Sequence, residues 1–137
     1  AKTPFVPGKA NVLRDGSDVC ILAAGLMIPY ALRAAEYLEE DGIHAAVVNV
    51  HTIKPIDRDC ILAMADKCGA VVTAEEHSII GGLGSAVAEV LAGNSSAKFA
   101  RVGIQDKFGR SGRPADLFAA YGLTAENIAA QCRKLKK

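Results

Sequence analysis

Three short stretches hold the side chains best suited to chemistry. Glu75-Glu76-His77 sets two carboxylates beside an imidazole, the groups that move protons in general acid–base catalysis. Gly81-Gly82-Leu83-Gly84 follows closely. A glycine-rich turn that opens a helix leaves N–H groups able to hold an anion. Arg110-Ser111-Gly112-Arg113 gathers two guanidinium groups and a hydroxyl, which suits a phosphate. His51-Thr52-Ile53-Lys54-Pro55 is weaker, because a single histidine after a strand is first of all a packing residue. Plainer readings stand beside these. The glycines allow a tight strand-to-helix turn, Glu75 and His77 suit a surface or subunit contact, and the arginine loop suits docking on a neighbour. The candidate anion-binding or interface rim is therefore Glu75, Glu76, His77, Gly82 and Gly84, joined by Arg110, Ser111 and Arg113.

Stronger chemistry is excluded by what surrounds these stretches. Gly82-Leu83-Gly84 runs on into Ser85-Ala86-Val87, so the third glycine of a dinucleotide fingerprint is missing. No Lys-Ser/Thr follows, so it is not a Walker A loop. Cys20, Cys60, Cys68 and Cys132 form no C-x-x-C pair, and His44, His51 and His77 lack zinc-ligand spacing. Free thiols in a reducing, cytoplasmic setting are the expectation. No nucleophile elbow, zincin helix or Ser/His/Asp spacing stands out. No catalytic, cofactor-binding or metal-ligating residue is assigned. Lys plus Arg is 16 against 15 Asp plus Glu, a net charge of +1, which leaves no basic footprint for nucleic acid. No run approaches the ~20 apolar residues of a membrane span. A hydrophobic content of 50% excludes disorder, and 137 residues suit one domain. The start, Ala1 rather than Met, suggests a processed or excised piece.

The elements that must position these stretches follow from apolar spacing. Residues 1–9, with Pro4, Pro7 and Gly8, read as an entering arm, and 10–137 as the domain. Ala10–Leu13 and Val19–Ala24 flank Asp15-Gly16 and predict a hairpin. Met27, Tyr30, Ala31, Ala34, Ala35 and Leu38 recur at helical spacing up to a stop at Gly42. Ile43–Val50 predicts a strand, and Asp57 caps a helix to about Lys67, closed by Gly69. Ala70–Ala74 predicts a short buried strand that Glu75-Glu76-His77 ends. A helix to about Ala92 follows, then a strand at Phe99–Ile104. A short helix from Pro114 to Gly122 comes next, and Thr124 caps the last helix. Strands alternating with helices predict a three-layer α/β/α domain. Its five-stranded mixed sheet has four strands parallel and one antiparallel. Ligands of such sheets bind beyond the carboxyl ends of the strands, where Gly25-Leu26-Met27, Glu75–Gly84 and Gln105–Arg113 fall.

At these same segments the sequence resembles the C-terminal domain of transketolase. The matching strings are Gly8-Lys9-Ala10 with Val12-Leu13-Arg14-x-Gly16-x-Asp18-Val19, and Thr52-Ile53-Lys54-Pro55-Ile56-Asp57. Thr73-Ala74-Glu75-Glu76-His77, Gly81-Gly82-Leu83-Gly84, Asp106-x-Phe108-Gly109-x-Ser111-Gly112 and Tyr121-Gly122-Leu123-Thr124 continue the series. They resemble most the C-terminal subunit of split transketolases. They are less similar to deoxyxylulose-phosphate synthase and the 2-oxo-acid dehydrogenase β chain, which share the fold. The resemblance implies an enzyme that moves a two-carbon ketol unit between sugar phosphates. Thiamine diphosphate with Mg²⁺ or Ca²⁺ is its cofactor. It also implies that this domain binds neither, supplies no catalytic residue, and serves a structural or regulatory part. Its partners would be the other transketolase domains or subunit and a second protomer. The Gly-Asp-Gly run that binds the metal diphosphate in this family is absent here.

Overall fold

The computed structural model describes residues 8–78, 82–104 and 122–136, the side chains of 77, 78 and 104 excepted. Five strands form one sheet: β1 (Asn11–Arg14), β2 (Val19–Ala23), β3 (Ala45–Asn49), β4 (Ala70–Ser78) and β5 (Lys98–Ile104). The order is β1-β3-β2-β4-β5, with β1 antiparallel to β3 and the other neighbours parallel. The helices are α1 (Ile28–Glu40), α2 (Arg58–Cys68), α3 (Leu83–Leu91) and α4 (Ala125–Leu135). Alternation along the strands sends successive side chains to opposite faces. Val19, Ile21 and Ala23 of β2 pack with Val72 and Ala74 against α1 and α4. Cys20, Leu22 and Val71 pack against α2 and α3. All five residues of β2 are fully buried, so the sheet is covered on both faces and the architecture is the expected α/β/α sandwich.

The opening pair of strands is not the hairpin that Asp15-Gly16 predicts. β3 lies between β1 and β2. The reason is in the link itself. Asp18 N donates to His44 O at 2.9 Å, and Asp18 Oδ2 accepts from His44 N at 2.7 Å. Both bonds hold the start of β3 in the slot. Gly16 passes directly over that backbone: a Cβ there would lie 2.4–2.6 Å from atoms of residues 44–46. Four extended residues reach roughly 13 Å, enough to step over one strand and reach the next at about 10 Å.

The caps follow the sequence. Asp57 Oδ1 accepts from Cys60 N at 3.1 Å, and Gly69 closes α2 at φ +72°. Thr124 Oγ1 accepts from Asn127 N at 3.1 Å. The other oxygen of Asp57, Oδ2, accepts from Ala10 N at 2.9 Å, which ties the incoming chain to the start of α2. One boundary departs from expectation. β4 does not end at Ala74 but continues through Glu75-Glu76-His77 to Ser78. Its pairing with β2 ends at Ala74, and its register with β5 shifts between Ala74 and Ser78. Such an irregularity turns side chains at a strand end. The predicted helix at 114–122 lies outside the described residues, Gly122 apart.

Candidate functional site

β2 is followed by β3 on one side, and the chain then crosses back to lay β4 on the other. The loops after β2 and β4 therefore part company, and the crevice between them is where an open α/β sheet offers a binding place. A cavity of about 170 Å³ sits there, lined by Ala24, Gly25, Val50, His51, Ile53, Glu75, Glu76 and Leu83. The overhang of β4 beyond β2 supplies one of its walls.

Glu75 is not a surface acid. It is only 3% exposed, and it faces α3. Its Oε1 accepts from Leu83 N at 2.7 Å and its Oε2 from Gly84 N at 2.7 Å. α3 has Gly82 at its N-cap, with no side chain to satisfy the first N–H groups, so a carboxylate from the strand does so instead. The helix dipole favours a negative group at this place. The two N–H donors that the glycine-rich turn offered to an external anion are thus occupied by the chain's own carboxylate. Gly84 makes the approach feasible. A Cβ there would lie 3.0 Å from Arg101 Cδ, 3.1 Å from Thr73 Oγ1 and 3.2 Å from Glu75 Oε2.

Glu76 is half-buried and leans the other way, toward the turn that starts α1. Leu26 N donates to Glu76 Oε1 at 3.4 Å, a long contact. Gly25 lets the carboxylate sit there: a Cβ at Gly25 would lie 2.7 Å from Glu76 Oε1, and its φ of +59° is in the left-handed region. The adjacent acids therefore hook to helix starts on opposite faces of the sheet. Sequence reasoning placed both at the rim but missed that Glu75 points inward. The signal was Gly82, a helix start without its own cap.

The side chain of His77, and all of Arg110, Ser111 and Arg113, lie outside the described residues. His51 lines the same cavity as Glu76. Lys54 and Arg58 do not; they border a separate groove of about 380 Å³ beside Ser85 and Glu89 on α3. Cys20, Cys68 and Cys132 are buried, and Cys60 is half-buried. Burial pushes Cys20 well above its ordinary range and Cys132 up to about 12, and raises Cys60 and Cys68 as well. None of the four forms a disulfide. Among the described residues, no group of three or more His, Cys, Asp or Glu is placed to hold a metal ion. No helix among them is long and apolar enough to cross a membrane.

Comparison with known proteins extends this picture. The family model of the transketolase C-terminal domain matches residues 8–128. A 6-deoxy-6-sulfo-D-fructose transketolase subunit, SqwH, of Clostridium sp. strain MSTE9 is 53% identical over 124 residues, covering 90% of this chain and 38% of that protein. A putative transketolase C-terminal section of Methanocaldococcus jannaschii is 52% identical over 126 residues, 91% of this chain and 39% of that one. The 1-deoxy-D-xylulose-5-phosphate synthase of Heliobacterium modesticaldum is 43% identical over 129 residues, 93% of this chain and 20% of the synthase. A solved split-gene transketolase, described as an inactive beta4 tetramer, superposes with a TM-score of 0.93 at 49% identity. It covers 98% of this chain and 44% of that chain. This chain thus spans less than half the length of each of these proteins. With a family model over nearly its whole length and the matching fold beneath it, the chain belongs to the transketolase C-terminal domain family.

Proposed function

We propose that this chain is the C-terminal structural domain of a thiamine-diphosphate-dependent transketolase. It holds the assembled enzyme together and is not catalytic alone. The parent transferase moves a two-carbon ketol unit between sugar phosphates in the pentose phosphate pathway of the cytoplasm. It works as a dimer or a larger assembly of split subunits. The observation that carries this reading is the use made of Glu75. The best-placed acid at the carboxyl end of the sheet is buried and spends both oxygens on the first turn of α3. A group so engaged is a strut, not a proton carrier.

The N–H pair at Leu83 and Gly84, which the glycine-rich turn offered to a diphosphate, is already taken by Glu75. The cofactor, with Mg²⁺ or Ca²⁺, belongs on this reading to the other domains. Relatives at 52–53% identity carry transketolase names, against 43% for the synthase, which makes the synthase parentage the second choice. Deleting residues 8–137 from the subunit that carries them tests the proposal. Sedimentation velocity should then report weakened assembly, while turnover per assembled active site changes little. Intact assembly with lost chemistry would overturn it.

A further inference from the structure

The cavity at the β2/β4 crevice is lined by chemistry opposite to that expected of an anion site. Glu75 and Glu76 both border it, with His51 beside them and the apolar Ala24, Val50, Ile53 and Leu83 around them. Glu75 already spends both oxygens on α3. Glu76 does not: its one hydrogen bond among the described residues is the long contact from Leu26, and none of those residues donates to Oε2. Gly25 is what allows this half-buried carboxylate its place, since any larger residue would collide with it.

Size and charge narrow the occupant. Pockets for whole small molecules run to about 300–1,000 Å³. A cavity of about 170 Å³ takes the end of a side chain rather than a complete metabolite. A carboxylate on one wall calls for a cationic donor. Apolar walls favour a planar, weakly hydrated cation that can bond a carboxylate through two N–H groups, over a compact ammonium. We propose that this cavity receives the guanidinium of an arginine from a neighbouring chain of the assembly, with Glu76 as its anchor. The choice of a neighbouring chain rests on the reading of this domain as an assembly module; the guanidinium chemistry does not.

Nuclear magnetic resonance on the intact chain separates the two. Ethylguanidinium should shift the Leu26 amide and the His51 ring signals saturably. Ethylammonium should do so more weakly, and inorganic phosphate not at all. Glu76→Gln keeps an oxygen for Leu26 and should weaken guanidinium binding at least tenfold. Ala24→Leu, which fills the cavity from another wall, should abolish it. Self-association or binding to the companion subunit, followed by sedimentation, should weaken about tenfold in Glu76→Gln. Absent shifts at 100 mM ethylguanidinium, undiminished shifts in Glu76→Gln, or preferential phosphate binding would each overturn the proposal. Shifts seen only after Arg110→Ala or Arg113→Ala would mean that this chain fills its own cavity, and would also overturn it. If guanidinium binds as expected but the chain joins no partner, the assembly reading falls while the cation site stands.

Discussion

Glu75 offers the sharpest test of how this rim is built. Its carboxylate satisfies two buried backbone N–H groups, each at 2.7 Å. Glu75→Ala strands both donors, at about 1–3 kcal/mol each, and leaves a void besides. The expected loss is about 3–5 kcal/mol, a large share of a domain stability of roughly 5–15 kcal/mol. Glu75→Gln keeps one acceptor oxygen but turns an amide NH₂ toward the other N–H. The expected loss is about 1.5–3 kcal/mol. With an m-value of about 1–3 kcal/mol/M, urea unfolding should show the midpoint falling by about 1 M at unchanged slope. Glu76→Gln is the control one residue away. Its single contact is 3.4 Å long and the amide oxygen can still accept it, so its cost should stay within about 0.5 kcal/mol. If Glu75→Gln unfolds within about 0.5 kcal/mol of the parent chain, or Glu76→Gln proves the costlier of the two, Glu75 is not the strut of α3.

Three further outcomes are expected. Asp57→Ala removes the cap of α2 and the anchor of Ala10 together, so it should cost about 1–2 kcal/mol and speed limited proteolysis near residue 10. Gly16→Ala forces a methyl group into the backbone of β3 and should cost about 1–3 kcal/mol in thermal unfolding; no effect would mean that the link does not pass over that strand. The Cys132 thiol keeps its proton to about 12 when folded but loses it near 9.0 when unfolded. Above pH 9 the unfolded chain therefore binds fewer protons, and stability falls as pH rises, by up to about 1.4 kcal/mol per pH unit. Cys132→Ala should flatten part of that decline between pH 9 and 11, with buried Cys20 supplying some of the rest.

Much of the fold was legible because local rules and burial agree. Asp57, Gly69 and Thr124 mark helix ends by chemistry that acts within a few residues. The unbroken apolar character of Val19–Ala23 marks a strand covered on both faces. The misplaced hairpin shows where locality fails. Asp15-Gly16 is a sound turn signal, but Gly16 is a glycine because of residues 44–46, nearly thirty positions away. Glu75 fails to declare itself for a similar reason. An acid ending an apolar run looks like a strand meeting water, and only the missing cap at Gly82 hints that the carboxylate is needed inside. The alternation of β4 then separates two neighbours of identical type. Glu75 joins the face of α3 and Glu76 leans toward the start of α1, so one is a strut and the other holds, among the described residues, only the long contact from Leu26.

Purified chain, supplied with thiamine diphosphate, Mg²⁺ and ketose and aldose phosphates, tests the central claim most directly. Calorimetry should register no cofactor binding and a coupled assay no ketol transfer, with turnover emerging only when the companion domains are added. Saturable diphosphate binding or turnover by these 137 residues alone would contradict it.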